Sequence, residues 1–130
     1  MLIGEVAKRT GLTIDAIRYY EREGLITPVH VRESGYRDFD TNSLDSLRFI
    51  IQAKKIGFSL KQIKHLLLLK ETPDTTCVEI RGLAQDKLNE VKYKIKLLKK
   101  MEQQLKTLLT KCKAESNESC PIIEELSKEE

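Results

Sequence analysis

The sequence has no tryptophan and only seven aromatic residues among its 130 positions. That scarcity excludes a thick aromatic core and favours long, exposed helices built on Leu, Ile and Lys. No apolar run reaches the roughly 18 residues that span a bilayer, so no membrane partner is expected. The opening MLIGEVAKRTG lacks the basic-then-apolar pattern of a secretory leader, and a cytoplasmic protein is the expectation. Cysteine is sparse and odd in number, at three, which argues against a disulfide framework in a reducing compartment. Free thiols, a metal site or redox chemistry remain open. The chain gives room for one or two small domains, less than a deep, walled active site usually uses. There is no Gly-rich phosphate loop and no Ser-based triad motif. His30 and His65 stand alone, the first read as a wing surface residue and the second as part of a helix face. These absences point away from an enzyme.

Charge is plentiful: 33% of residues are charged and 40% apolar, a folding chain with a heavily solvated surface. Residues 1–70 carry 12 Lys+Arg against 8 Asp+Glu, and residues 71–130 carry 11 against 12. The basic excess lies in the N-terminal half, as expected if that half meets a polyanion. A solvated face accounts for so small an excess equally well.

Glycine and proline punctuate the first half. Ile3 to Thr10 carries Ile3, Val6 and Ala7 at helical spacing and stops at Gly11. Thr13 reads as an N-cap, with Asp15 in the first turn where it suits the helix dipole. The helix that follows spans about residues 14 to 23, with Ile14 and Ile17 facing inward along with Leu25, and ends at Gly24. Helix, short Gly-containing turn and helix within so short a stretch fit a helix-turn-helix. Residues 25–39, LITPVHVRESGYRDF, read as two short strands around Ser34 and Gly35. A hairpin in that place is a wing. Asp40 to Ser43 offer N-caps for a third helix that buries Leu44, Leu47, Phe49, Ile50 and Ile51 and stops at Gly57. Ser59 and Gln62 match a capping box for a fourth helix to about Lys70, on Ile63, Leu66, Leu67 and Leu69, broken by Pro73.

From Thr75 or Thr76 to about Lys111 there is no proline and a single glycine, Gly82. The Lys, Leu, Glu and Gln of this stretch are strong helix formers. One heptad register holds Cys77, Ala84, Val91, Leu98, Leu105 and Cys112, and the companion positions hold Leu88, Ile95 and Leu109. So narrow a seam calls for one partner helix rather than a full core. The expected division is therefore a winged helix-turn-helix over 1–70, a dimerisation helix over 71–111, and a loop with a short helix over 112–130. The fold class is all-α with a small β wing.

On the second helix, Arg18 sits beside Tyr19 and Tyr20, with Arg22 a turn further on. Arg with exposed Tyr on a short helix suits phosphate and base-edge contact. The alternative is that one Tyr belongs to the core and Arg18 pairs with Glu21 or Asp15. Arg32, Tyr36 and Arg37 cluster at the wing and favour the contact reading. Thr13, Arg18, Tyr19, Tyr20, Arg32, Tyr36 and Arg37 are the candidate DNA contacts. The Lys run from Lys92 to Lys100 reads as the wet face of the coiled coil.

Cys77 and Cys112 share a register but lie 35 residues apart, about 52 Å along a helix at 1.5 Å per residue. Within one chain they cannot share an ion. In an antiparallel pair centred between Lys94 and Ile95, residue 77 of one copy faces residue 112 of the other, giving two symmetric sites. Cys120 follows Cys112 after a polar loop that can fold back. Three unrelated buried thiols are the alternative. Thiolates select soft ions, and structural zinc prefers four ligands, whereas this chain supplies three Cys and no loop His. Mercury, lead or cadmium suit such a site best, with zinc or copper(I) as the other options.

The runs IGEVAKRTGLTIDAIRYYEREGLI, GYRDF and LRFIIQAKKIGFSLKQIKHLL resemble the MerR family of transcriptional regulators, over essentially the whole chain. The resemblance implies a homodimer on a pseudo-palindromic promoter, activating by twisting the DNA so that RNA polymerase can use it. It puts Arg18, Tyr19 and Tyr20 on the recognition helix and Tyr36 and Arg37 on wing phosphates. Cys112 and Cys120, followed by Pro-Ile-Ile, are similar to the metal loop of metal-sensing members. Members sensing monovalent copper, silver or gold carry Ser where this chain has Cys77, and sensors of divalent ions carry Cys there. The seven-residue gap resembles the copper sensors. Zinc sensors typically add a second adjacent Cys and a loop His, which this chain lacks. The expected function is activation on binding a soft divalent metal. A zinc, copper(I) or thiol-based oxidant sensor of the same fold is the alternative, and a thiol metal carrier the rival from another class.

Overall fold

The computed structural model describes residues 1–28, 30–31, 33–74, 77–112 and 120–128. Its elements are α1 (Ile3–Thr10), α2 (Ile14–Arg22), β1 (His30–Val31), β2 (Arg37–Asp38), α3 (Thr41–Lys55), α4 (Leu60–Glu71), α5 (Cys77–Lys111) and α6 (Pro121–Leu126). They fall into two compact units, Met1–Ala84 and Gln85–Glu130.

In the first unit, α1 ends because Gly11 takes φ 77°, its N–H bonding the Ala7 carbonyl at 2.9 Å. A side chain is strained at that φ, so glycine turns the chain here. Thr13 then caps α2, its hydroxyl accepting from the Ala16 N–H at 3.1 Å. Ile17 and Tyr20 are the buried residues of α2. Ile14, expected inside, is exposed. At 100° per residue the buried stripe leans from Ile17 towards Tyr20, and Ile14 lies on the opposite flank.

The wing is an antiparallel pair with His30 opposite Asp38 and Val31 opposite Arg37. Gly35 supplies the positive φ, 86°, in its turn. Leu2 bridges to Asp38, and the Phe39 N–H donates to the Met1 carbonyl at 2.7 Å, so the segment before α1 lies along β2.

Asp40 caps α3 by accepting from the Ser43 N–H at 3.0 Å. The capping box of α4 is complete: Gln62 accepts from the Ser59 N–H at 2.8 Å, and Ser59 from the Gln62 N–H at 3.3 Å. Leu44, Leu47, Ile50 and Ala53 of α3 and Ile63 and Leu67 of α4 join Val6, Ile17, Tyr20, Leu25, Ile26 and Phe39 in one core. Phe49, Ile51 and Leu69, expected in it, are only half-buried, Phe49 packing against its edge. Each fully buried aliphatic side chain contributes roughly 1.5–3 kcal/mol. That cluster fixes α2 against α1 and α3 and so sets which face of α2 meets solvent.

In the second unit, α5 leaves its seam uncovered, with Leu88, Ile95, Leu98, Leu105 and Leu109 between 46% and 66% exposed. Pro121 opens α6 at a position where its missing N–H costs nothing. Ile123 and Leu126 of α6 are exposed. Among the described residues no helix is long and apolar enough to cross a membrane.

Candidate functional site

Two constellations stand out. The first lies where α2 meets the wing. Arg18, Arg22, Arg37 and Glu21 line a shallow recess of about 230 Å³, three guanidiniums against one carboxylate. Arg37 Nε donates to Glu21 Oε1 at 2.7 Å, so the wing strand is clamped to the helix and Arg37 is aimed into the recess. Arg22 stacks on the Tyr19 ring, 5.9 Å from its centroid. Arg18, Tyr19 and Tyr36 are exposed on this part of the surface. A surface of clustered Arg and exposed Tyr can pair with a polyanion bidentately and by stacking.

Two of the expected contacts have other occupations. Tyr20 is buried, and its hydroxyl accepts from Lys54 Nζ at 3.2 Å. Its ring is core because the inward stripe of α2 runs through it, which corrects the expectation of a DNA-facing Tyr20. The Thr13 hydroxyl is engaged as the α2 cap. Arg32 lies outside the described residues. Glu21, read from sequence only as a candidate partner for Arg18, is instead the anchor of Arg37, and Lys54 as the partner of Tyr20 was missed. No sequence signal marks either, because both partnerships join elements far apart in the chain.

The second constellation is the cysteine pair at the junction of α5 and α6. Cys112 follows the last residue of α5, its N–H still bonding the Leu108 carbonyl at 3.1 Å, and Cys120 is the N-cap of α6. The two sulfurs are 3.6 Å apart. The backbone N–H groups of Ile123 and then Ile122 pull the Cys120 thiol below its ordinary range, helped by Cys112. The Cys112 thiol is pushed up by its hydrogen bond to Cys120 and by burial. One sulfur is thus prepared as a thiolate and the other keeps its proton longer. Two thiolates about 2.3 Å from one ion sit about 3.8 Å apart at a tetrahedral angle and about 4.6 Å apart on opposite sides. The observed separation fits the bent arrangement, which leaves a face open for another donor. Cys77 is the first residue of α5 and is exposed. Among the described residues no three metal-ligating side chains cluster within one chain. The loop between Cys112 and Cys120 lies outside the described residues.

Residues 1–70 match the family described as MerR HTH family regulatory protein, and residues 44–108 match one described as MerR, DNA binding. The chain is 39% identical to the HTH-type transcriptional regulator CueR of Vibrio cholerae serotype O1, over 97% of this chain and 91% of that protein. It is similar to the crystal structure of the transcription regulator PbrR691 from Ralstonia metallidurans CH34 in complex with lead(II), with a TM-score of 0.87 at 30% identity, over 98% of this chain and 99% of that one. It is also similar to the dual-function transcriptional regulator MerR of Bacillus megaterium MB1 in complex with mercury(II), with a TM-score of 0.70 at 32% identity, over 94% and 95% of the two chains. With its winged helix-turn-helix, its long helix and these matches over nearly its whole length, the chain belongs to the MerR family of helix-turn-helix transcription regulators.

Proposed function

We propose that this chain is a metal-responsive transcriptional regulator that binds promoter DNA as a homodimer and activates transcription with RNA polymerase when a soft metal ion occupies its cysteines. In this reading residues 1–70 hold the DNA, 71–111 form the dimerisation helix and 112–130 carry the metal loop. Arg18, Tyr19, Tyr36 and Arg37 meet the phosphates, joined by Arg22 from the same recess and by Arg32. The uncovered seam of α5 supports dimerisation, since an apolar stripe of this width is stable when a second helix covers it.

The observation that carries the metal reading is the pair of sulfurs 3.6 Å apart at the end of α5. Cys112 and Cys120 hold the ion, and Cys77 of the partner subunit supplies a third thiolate. A bound soft ion supplies positive charge that lets these thiolates share one pocket. Three sulfurs favour mercury(II), lead(II) or cadmium(II) over zinc, which seeks a fourth ligand that this chain does not bring. The structural similarity to a lead(II) complex and a mercury(II) complex supports the same choice. A second reading leaves Cys77 out and gives Cys112 and Cys120 a monovalent ion such as copper(I). It is supported by the seven residues between the two cysteines and by a sulfur pair formed without a third residue.

The test is transcription in vitro from the chain's own promoter with mercury, lead, cadmium, zinc and copper(I). Wild type responds to at least one soft ion, and Cys112→Ser and Cys120→Ser lose that response while keeping the metal-free footprint. A response that survives both substitutions overturns the assignment.

A further inference from the structure

The same two sulfurs are placed for a second chemistry, which goes beyond the metal reading and does not rest on it. Cys112 and Cys120 are 3.6 Å apart, and a disulfide at about 2.05 Å needs about 1.6 Å of closure. Neither residue lies within a helix: Cys112 follows Lys111, the last residue of α5, and Cys120 precedes Pro121, the first of α6. Closure therefore falls at two helix-flanking positions, touching only the outermost backbone bonds of α5 and α6, Cys112 N–H to the Leu108 carbonyl and Glu124 N–H to the Cys120 carbonyl. Both side chains are half-buried rather than sealed, so a small oxidant reaches them.

We propose that Cys120 and Cys112 form a peroxide-reactive dithiol that closes to an intrachain disulfide. The Cys120 thiolate attacks one oxygen of hydrogen peroxide; the O–O bond breaks, an S–O bond forms, and hydroxide leaves. Cys112 then attacks the resulting sulfenic sulfur; the S–S bond forms, the S–O bond breaks, and its hydroxyl leaves as water with the Cys112 proton. The two sulfurs give up two electrons, and the peroxide is reduced to one water and one hydroxide. The disulfide takes both thiolates away from any metal ion, so peroxide silences a metal response until a dithiol reductant restores it. Cys77, exposed at the start of α5, stays a free thiol.

The test treats the reduced full-length protein, free of metal, with one equivalent of hydrogen peroxide per chain, then caps free thiols with N-ethylmaleimide and maps the peptides. The expected result is capped Cys77, with Cys112 and Cys120 recovered as one linked pair two hydrogens lighter, fully reversed by dithiothreitol. In Cys112→Ser, whose circular dichroism should match wild type, dimedone traps a sulfenic acid at Cys120. Cys112 and Cys120 both capped after the peroxide is consumed overturns the proposal, as does linkage confined to Cys77 between chains. Because the mapping uses no metal, failure of the metal reading leaves a positive result standing, and failure of the disulfide leaves the metal reading standing.

Discussion

Arg37→Ala gives the sharpest test of the proposal that the recess of Arg18, Arg22 and Arg37 meets DNA. Wild type presents Arg18, Arg22 and Arg37 against Glu21; the variant presents two cations against one carboxylate that has lost its partner. The Arg37–Glu21 pair is 41% and 18% exposed on its two sides, so its loss costs at most about 1 kcal/mol of folding stability. The larger effect is on binding. An Arg that neutralises one phosphate contributes about 0.9 to the slope of log affinity against log salt. Without it the slope flattens by that amount, and the variant's disadvantage shrinks about 3.5-fold as salt rises from about 50 to about 200 mM. Glu21→Gln should act differently in wild type and in the Arg37→Ala background, because in wild type the carboxylate also holds the Arg37 guanidinium. Fluorescence anisotropy on the promoter fragment and on an unrelated duplex, across a salt series, reads both quantities. The loss should be similar on the two duplexes, since phosphate carries no sequence. Wild-type affinity and slope in Arg37→Ala would refute the reasoning and remove the wing from the interface.

Further expectations follow from the core and the thiols. Tyr20→Phe removes the hydroxyl that Lys54 reaches and should cost about 0.5–1.5 kcal/mol in chemical denaturation, with the salt slope of DNA binding unchanged; a flattened slope would place Tyr20 on the DNA after all. Leu47→Ala empties a fully buried position and should cost about 2–5 kcal/mol, read as a lower melting midpoint. The lowered Cys120 and raised Cys112 thiols make thiolate available at Cys120 at lower pH, so iodoacetamide should modify Cys120 first and the preference should grow as pH falls below the ordinary thiol range. Equal rates at both positions, followed by peptide mass spectrometry, would contradict that ordering.

What the sequence disclosed was mostly local. Gly11, Thr13, and Ser59 with Gln62 act within a few residues of themselves, and each occupies its expected terminus or cap. The wing turn at Gly35 and the uninterrupted α5 are of the same kind. Tertiary choices were less legible. Ile14 and Ile17 are both apolar on one helix, and only packing against α1 and α3 decides that Ile17 is buried and Ile14 is not. Tyr19 and Tyr20 are adjacent and chemically identical, yet one faces solvent and the other the core, because neighbours on a helix point about 100° apart. The Glu21 clamp on Arg37 spans 16 positions and follows from the wing folding back on α2, which no local pattern encodes. At the cysteines, spacing indicated that Cys112 and Cys120 could meet, but the 3.6 Å approach of their sulfurs, one just past α5 and one just before α6, needed the structure.

The proposed shared site of Cys77, Cys112 and Cys120 is tested most directly by promoter output from wild type and Cys77→Ser across mercury, lead, cadmium, zinc and copper(I). Cys77 lies at the first position of α5, away in sequence from the Arg residues of α2 and the wing, so metal-free DNA binding should be unchanged. If three thiolates hold the ion as proposed, Cys77→Ser loses the response to mercury, lead and cadmium, since only two remain. A full divalent response retained by Cys77→Ser would contradict it and leave Cys112 and Cys120 as the whole site.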